Sequence, residues 1–527
     1  MDVMPQQPPQ PPDPSRRRPL EVSDFSGASA LSALSDPASP SDLPPLSLRT
    51  TLRRAALGAV AGAVLVTGAV VAVPEDGRNA SPPVPGPVSR ALGATAAGAP
   101  AALSDLTALI EDRQQWLGTH PSDARTWAEL GTAYVEWGRR SADTAYYGRA
   151  ERALKRSLDI QPGESGNTAA WTGLAVLADA RHDFGAAKKW GEAVRARRPE
   201  EWAVYPALID AYGGLGDSGS VSRAVERFTA LRAGVPALLR TARMHLDRGR
   251  HEEALAEARD AAGRAATPEQ KAECLSLLGE LAWERGDPGE AVRQYDAALR
   301  TDREHRPSLA GRARALVALG RTDEAQRDYR AALARLPRPE YLLELGELYE
   351  SLGRDADADD QYARLRRALA RDEGQGVDNA LLRGRFEADH GDPATAVEVL
   401  DAAWRRAHRS PAVADALGWA LHRSGDPSAG LEYAARAAEA DGRNASYAYH
   451  LGVIQRALGK YDAARRSLAG ALRSNPRFSP LAGPAAREAL DDLTAPPVDV
   501  PADARPAPEP SAEQQQSATT PRAPGSR

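Results

Sequence analysis

A repeat of 34 residues between residues 275 and 337 constrains the fold of this chain more than any other feature. Two copies lie end to end there, so that Gly286 is followed by Gly320, and Ala291 by Ala325, each 34 residues later. Within each copy, small and aromatic residues recur at i, i+4 and i+7, which places them on one face of a helix. A period of this length is typical of stacked helix–turn–helix units.

The repeat can be followed through most of the chain by one small residue in each copy, at the position where the two helices of a unit should cross. Ten such crossing residues are found: Ala150, Ala186, Ala224, Ala254, Ala291, Ala325, Ala358, Ala396, Gly430 and Ala464. The second copy lacks the Gly of the Leu-Gly pair, and the third has the unusual string GGLGDSGS between its helices. The registers of these two copies therefore stay open.

The copies resemble the tetratricopeptide repeat. The signature of that family is filled here by Leu278, Gly279, Gly286, Ala291, Tyr295 and Ala298. The resemblance implies an all-α fold, a right-handed solenoid of stacked helix pairs, in which each unit contacts its neighbours along the chain. About ten repeats would fill residues 102–480. Residues 481–494 would form a capping helix over the last apolar face, and residues 495–527 a disordered Pro-rich tail.

The composition agrees with an array of helices. Alanine is abundant, phenylalanine is scarce, and only 5 of the 67 basic residues are lysine. The net charge is −5, without the concentrated basic face of a protein that binds nucleic acid, so we expect no nucleic-acid partner. The single cysteine, Cys274, cannot form an intramolecular disulfide, so folding does not depend on an oxidising compartment.

The N-terminal part of the chain differs in composition from the repeats. Residues 1–48 are rich in proline and serine, and we expect them to be disordered because they cannot bury enough apolar surface. Residues 49–73 combine a basic flank with an uncharged stretch, residues 55–73, which is roughly 28 Å long as a helix and close to the thickness of a bilayer core. We therefore predict one transmembrane helix over residues 55–73, and a linker rich in Pro, Ala and Gly over residues 74–101.

The charges around the apolar stretch predict its orientation. Arg49, Arg53 and Arg54 precede it, which places the N-terminus in the cytoplasm and the repeats on the other side of the cell membrane. The chain is thus identified as a single-pass, membrane-anchored bacterial member of the tetratricopeptide-repeat family. A cleaved signal peptide is the alternative. Gly58 and Gly62 form a GxxxG spacing through which two membrane helices could associate.

Several short strings resemble catalytic or metal-binding motifs. Gly216, Asp217, Ser218 and Gly219 match the nucleophile loop of trypsin-like serine proteases, but a turn between two helices selects the same residues. The nine histidines never take a spacing that would bind a metal ion together with Cys or carboxylates, and there is no phosphate-binding GxxxxGK[ST] string. We therefore predict that the protein is not an enzyme and has no catalytic residue, metal site or cofactor.

A solenoid of helix pairs offers a concave face made by the first helix of each unit, and binding in this family is usually located there. The position just after the Leu-Gly glycine carries charges that alternate in sign along successive units. These residues are Arg243, Glu280, Arg314, Glu347 and Arg385, followed by Trp419. They form either a polar groove for a charged peptide or a ladder of ion pairs that stiffens the array, and the ladder is favoured.

A second group is more typical of peptide binding, because aromatic and arginine side chains often carry binding energy. It consists of Trp283, Trp419, His422, Tyr449 and Arg456. The two groups together are the predicted partner-binding residues of a membrane-anchored interaction scaffold, which presents a tetratricopeptide-repeat groove to a protein or peptide partner. The alternatives are a secreted repeat protein after signal cleavage, and an accessory subunit of a membrane enzyme or transport assembly.

Overall fold

A computed structural model of the chain describes residues 85–303 and 305–494, apart from the side chains of Ala97 and Arg335. These residues form 23 α-helices and two short 3₁₀ helices, Gly163–Ser165 and Trp202–Val204, and no strand occurs among them. The helices are α1 Pro87–Ala97, α2 Leu103–Thr119, α3 Ala124–Ser141, α4 Ala145–Ile160, α5 Thr168–Ala180, α6 Phe184–Arg197, α7 Tyr205–Gly214, α8 Ser218–Leu231, α9 Val235–Leu246, α10 His251–Arg264, α11 Pro268–Glu284, α12 Pro288–Thr301, α13 Arg306–Ala318, α14 Thr322–Arg335, α15 Pro339–Ser351, α16 Asp355–Glu373, α17 Ala380–His390, α18 Pro393–Arg405, α19 Pro411–Arg423, α20 Pro427–Ala440, α21 Ala445–Ala457, α22 Tyr461–Ser474 and α23 Ala482–Thr494.

Ten consecutive helix pairs make up the array, from pair 1 (α3 and α4) to pair 10 (α21 and α22). Within a pair, helix A packs on helix B across a short turn, and helix B packs on helix A of the next pair across a loop, most loosely between α16 and α17. The helices α1 and α2 precede the array and α23 follows it, packed on α22. The prediction of an all-α solenoid of repeated helix pairs is confirmed.

The turn between the two helices of pair 5 is built by local chemistry. In pair 5, Gly286 takes a positive φ of 76°, which only glycine adopts at little cost. The Asp287 carboxylate then accepts a hydrogen bond from the Glu290 backbone N–H, and Pro288 opens α12. A side-chain cap and a proline in the first turn both stabilise a helix start, so these residues end one helix and begin the next.

Small residues at the crossing allow the helices of a pair to approach closely. Ala291 and Ala325 have no exposed surface. In pair 5, a Cβ on Gly279 of α11 would lie 2.7 Å from Cε1 of Tyr295 on α12, which is too close for two carbon atoms. The 34-residue spacing of small and aromatic residues therefore reflects direct packing of helix A on helix B.

The structure corrects the predicted crossing residues of the second and third repeats. In pair 2 the buried residue is Ala187, and Ala186 is only partly buried. In pair 3 both Val221 and Ala224 are buried, and Val221 stands at the crossing position. The caps explain the difference, because Asp183 and Asp217 begin α6 and α8 as Asp287 begins α12. The crossing residue stands four positions after each cap.

The predicted linker over residues 74–101 is wrong from residue 87 to residue 97, which form α1. Pro87 is the first residue of this helix, and Gly98 closes it with a φ of 67°. Ala91 is fully buried, and the guanidinium of Arg90 donates two hydrogen bonds to Asp105 of α2. The proline and glycine that indicated a linker are the start and stop signals of a helix.

The array returns on itself. The turns of pairs 1 to 5 contact the chain at or just before the loops that follow pairs 7 to 10, and we call this set of contacts the seam. Thr144 donates a hydrogen bond to Asp372 over 2.9 Å, with both side chains buried. Further along, Asn475 donates to the carbonyl oxygen of Trp283 over 2.9 Å, across 192 positions of sequence. The expectation that each unit contacts only its chain neighbours is therefore wrong for these pairs.

Turn glycines bring the two sides of the seam into contact. A Cβ on Gly216 would lie 2.5 Å from the carbonyl oxygen of Arg409, and a Cβ on Gly286 would lie 2.6 Å from that of Ser474. Gly320 and Gly353 have the same positive φ in pairs 6 and 7, but nothing described lies within 4 Å of a Cβ there. The inter-helix turns of pairs 3 and 5 are thus covered by the other side of the seam, whereas the turns of pairs 6 and 7 are uncovered.

The predicted transmembrane helix over residues 55–73, its basic flank from residue 49, the disordered segments 1–48 and 495–527, and the Gly58 and Gly62 association site all lie outside the described residues. Within residues 85–303 and 305–494, no helix is long and apolar enough to cross a membrane.

Candidate functional site: the cavity inside the array

A cavity of about 1250 Å³ lies inside the array. It lies between pairs 1 to 5, which form the first superhelical turn of the array, and pairs 7 to 10, which form the second. One wall consists mostly of residues from the A helices and inter-helix turns of pairs 1 to 5, and the other mostly of residues from the helix ends and loops of pairs 7 to 10. The seam closes the space between these walls. The cavity therefore exists only because the array returns on itself.

Charged side chains on successive A helices line the first wall. Arg243 donates from Nη1 to Oε1 of Glu280 over 2.7 Å, and Arg240 forms an ion pair with Asp210. These pairs join helices of neighbouring repeats, so the lining is also part of the contact between repeats.

Two carboxyl groups of the wall are poorly compensated. Asp179 is 7% exposed and accepts no hydrogen bond from any described residue, and its ion pair with Arg139 is 3.8 Å long. Burial and the nearby Asp210 carboxylate raise the pKa of Asp179 to about 7. Burial, together with the Glu280 and Asp441 carboxylates, raises the pKa of Glu284 to about 7. Burial disfavours the charged form of a carboxyl group, and a neighbouring negative charge acts in the same direction.

Two of the predicted partner-binding residues line this cavity, Arg243 and Glu280. They form the ion pair that the ladder interpretation requires. The ladder does not continue in the predicted order, because Arg314 bonds to Glu344 over 2.5 Å instead of to Glu280 or Glu347. Glu347 instead lies 3.6 Å from Nε2 of His390.

The predicted aromatic residues are mostly part of the core. Trp283, Trp419 and Tyr449 are buried, and Trp419 donates from Nε1 to Asp389 over 2.8 Å while its ring stacks on His450. His422 is half-buried beside Trp419, with a ring-centroid distance of 5.3 Å. Their recurrence at helical spacing reflects packing between repeats.

The remaining predicted residues lie on the surface outside the cavity. Arg385 is exposed, and Arg456 pairs with Asp492 of α23 over 2.9 Å. The structure therefore does not bring the ten predicted residues together into one site.

The sequence interpretation missed Asp210, Asp247, Glu284, Asp441 and Tyr447, which all line the cavity. Asp247 and Glu284 stand four residues after Arg243 and Glu280, on the same helix face one turn later. That spacing could have found them. Asp441 and Tyr447 belong to the second turn of the array, and no local pattern indicates that they face the first.

No group of three or more His, Cys, Asp or Glu side chains in the described part of the chain is arranged to hold a metal ion. The carboxylates of the cavity are thus a charged lining and not a chelating set.

The fold and its lined interior define a class of helical-repeat protein. The family described as "Tetratricopeptide repeat" matches residues 214–270, 310–368 and 415–477, which fall on pairs 3 and 4, 6 and 7, and 9 and 10. The chain therefore contains tetratricopeptide repeats, as predicted. The family described as "Bacterial transcriptional activator domain" matches residues 52–167. No match to the chain was found among curated proteins.

Solved structures similar to this chain include tetratricopeptide-repeat proteins. PilF of Pseudomonas aeruginosa is 18% identical, over 39% of this chain and 93% of its own, with a TM-score of 0.31. A tetratricopeptide-repeat protein of Parabacteroides merdae is 18% identical, over 50% and 99% of the two chains, with a TM-score of 0.31. A thermophilic protein of this kind from Thermus thermophilus is 22% identical, over 36% and 99%, with a TM-score of 0.31.

Proposed function

We propose that the protein is an interaction scaffold whose partner inserts an extended peptide segment into the cavity inside the array. Tetratricopeptide repeats indicate a protein–protein interaction scaffold. The single observation that carries the proposal is the cavity of about 1250 Å³, which is larger than the roughly 300–1,000 Å³ of small-molecule sites. Its lining is charged, as a peptide backbone with polar side chains would require.

Filling the cavity tests this proposal. Gly213 lines the cavity, and a Cβ there would meet nothing within 4 Å, so Gly213→Trp places an indole in the open space without displacing the core. Gly263 of α10 is exposed, does not line the cavity and also has no neighbour within 4 Å. We expect full-length Gly213→Trp to lose the partner in a pull-down and Gly263→Trp to keep it. Equal recovery by both variants would contradict the proposal.

We also propose that the scaffold is held at the cell membrane by residues 55–73, with the N-terminus in the cytoplasm and the repeats outside. The uncharged stretch and the arginines before it support this. Protease added to intact cells without an outer barrier should digest the repeats and spare residues 1–48, whereas protected repeats would contradict the orientation.

A mature N-terminus at Val73 would instead support the secreted form. Loss of dimer crosslinking in Gly58→Leu would support association through the membrane helix.

We propose that the chain has no catalytic activity of its own. Ser218, in the string that resembles a protease loop, is the first residue of α8, and Asp217 before it caps that helix by accepting a hydrogen bond from the Ser220 backbone N–H. These residues therefore act as a turn and a helix start. If the protein is an accessory subunit of a membrane enzyme or transport assembly, Ser218→Ala should leave every measured activity of that assembly unchanged. A loss of hydrolysis in this variant would contradict the proposal.

One observation favours a second candidate, a role in transcription. Residues 52–167 match a family named for bacterial transcriptional activators. We still expect no direct binding to duplex DNA, because the net charge is −5 and such binding depends on neutralising phosphates. Fluorescence anisotropy with a labelled duplex at low salt, where electrostatic binding is strongest, would decide the matter, and a salt-dependent complex would favour the second candidate.

A further inference from the structure

We propose that the part of the cavity formed by Asp247, Glu284, Asp441 and Tyr447 binds a cationic side chain, lysine or arginine, of the inserted partner segment. This inference rests on the proposed function and names the chemical class of its partner: a basic peptide. Four kinds of observation carry it.

The three carboxylates stand at the C-terminal ends of three different helices. Asp247 follows α9, Glu284 is the last residue of α11, and Asp441 follows α20. The C-terminal end of a helix carries a partial negative charge, which disfavours a carboxylate and favours a cation. All three residues line the cavity, so three unfavourable placements meet in one space. Such an arrangement does not stabilise the fold, and it is typical of a binding site.

The protein compensates these groups only in part, because Arg243 opposes the rise in the pKa of Asp247, and Arg314 and His251 oppose the rise in the pKa of Glu284. Neither Asp247 nor Glu284 forms a hydrogen bond or an ion pair with any residue in the described part of the chain. Asp441 accepts a hydrogen bond from the Arg443 backbone N–H over 3.1 Å, and it lies 3.7 Å from Nε2 of His251, across the seam. The cations nearby are used elsewhere, since Arg243 is paired with Glu280 and Arg248 donates to the carbonyl oxygen of Ser218.

An aromatic ring completes the site. Tyr447 of α21 lines the cavity and is only partly buried. Asp441 and Glu284 line the same cavity as this ring. Burial and the negative charges of Asp415, Asp441 and Glu284 raise the pKa of Tyr447, and Arg385 opposes this rise. A cation over an aromatic face is attracted to it, and the attraction is stronger where water is excluded. Carboxylates beside an aromatic ring are suited to an ammonium or guanidinium group.

Asp179 is an independent sign of a cationic ligand elsewhere in the same cavity. Its side chain is more than nine-tenths buried and lines the cavity, and its one ion pair, to Arg139, is 3.8 Å long and has no hydrogen bond with it. A buried carboxylate is costly unless it is paired and hydrogen-bonded. Asp179 belongs to pair 2 and Glu284 to pair 5, so two cationic groups along one extended segment would be needed to reach both.

A peptide-binding measurement with the full-length protein tests this inference. The probe is a short labelled peptide with two arginines in a glycine and serine background, and the comparison is the same peptide with glutamates. We expect the arginine peptide to bind and the glutamate peptide not to bind. Glu284→Gln should weaken binding of the arginine peptide by at least about tenfold, the lower end of the loss that truncating one partner of a close charge pair causes.

Glu226→Gln is the matched control, because Glu226 is exposed on α8 and lies outside the cavity, and its binding should stay unchanged. Glu284→Gln removes a charge from an unfavourable place, so its thermal unfolding should show an intact fold. If both peptides bind with equal affinity and Gly213→Trp abolishes this binding, the cationic inference is overturned and the proposed function stands. If neither peptide shows binding that Gly213→Trp abolishes, both the cationic inference and the proposed function are overturned. If spermine competes for the site as strongly as the unlabelled arginine peptide does, the proposal of a peptide ligand is overturned and the site is a polyamine site.

Discussion

At the scale of single residues, the size of the side chain at the helix crossing decides whether a repeat can close. Ala325 of α14 has no exposed surface, and it holds the place in pair 6 that Ala291 holds in pair 5. The packing around such a position leaves no room for a larger group, because protein interiors are close-packed. Alanine is therefore required by geometry at this place and not merely preferred for its helix propensity.

Ala325→Leu should lower the free energy of unfolding of its region by about 1–3 kcal/mol, the usual cost of overpacking. Hydrogen exchange should rise in pairs 5 to 7, because pair 6 contacts its chain neighbours. Ala331→Leu on the same helix is the control, since Ala331 is exposed and surface substitutions usually change stability by less than about 0.5 kcal/mol. Similar exchange in both variants would refute the assigned crossing.

A charged residue in the cavity makes stability depend on pH. The pKa of Asp179 is raised from 3.8 to about 7, so the folded protein holds a proton that the unfolded chain releases between these values. The protein therefore gains stability from this group as pH falls from about 7 to about 4, and loses it as pH rises through about 7.

Asp179→Asn should raise the free energy of unfolding at pH 8 by about 1–4 kcal/mol, at about 1.4 kcal/mol per pKa unit. Because the asparagine is neutral at every pH, the difference from the unmodified protein should shrink to nothing near pH 4. Urea unfolding followed by circular dichroism across this pH range measures it. Asp359→Asn, at an exposed place on α16, should show no such trend, and a constant difference for Asp179→Asn would contradict the raised pKa.

At the scale of elements, identical turns have different surroundings. Gly286 and Gly320 have φ values of 76° and 75°, so an alanine costs about 1–2 kcal/mol of backbone strain at either place. Only Gly286 faces the other side of the seam, where a Cβ would lie 2.6 Å from the Ser474 carbonyl oxygen.

Gly286→Ala should therefore destabilise the protein more than Gly320→Ala, by an additional 1–3 kcal/mol or so for the steric conflict. The difference between the two variants isolates the seam, because the backbone strain is common to both. Thermal or urea unfolding gives the comparison, and equal losses of stability would show that the seam does not hold this turn in solution.

At the scale of the whole molecule, the seam makes distant repeats depend on one another. Asn475 is buried after pair 10 and bonds to Trp283 of pair 5. Asn167 is also buried, but it bonds to Ser157 and Gln161 close by in the sequence. A linear solenoid would transmit damage only to neighbouring repeats.

Asn475→Ala should cost about 1 kcal/mol for the lost hydrogen bond and raise hydrogen exchange at two places, around residues 283–287 and around residues 474–481. Asn167→Ala should raise exchange only around residues 155–170. Exchange confined to the C-terminal end in Asn475→Ala would mean that the two turns of the array are not coupled.

The sequence by itself determined the helices, their pairing and most crossing residues, because each of these depends on contacts within 34 residues. Turn glycines, caps such as Asp287 and small residues such as Ala325 act over one or two helices, and a local pattern records them. Where local signals were ambiguous the prediction was wrong by a few residues, as at Ala186 and Ala224, or took the start and stop signals of α1 for a linker.

Only the tertiary structure decided where the array meets itself, and with it the cavity. Gly286 and Gly320 have the same local sequence role and the same backbone conformation, yet one is covered and the other is not. The small rotation between successive pairs accumulates over the repeats before Asp441 and Glu284 come to line one cavity. No shorter segment of the chain contains this information. Charges that the sequence shows as separate surface residues therefore become one acidic site only through the closure of the array.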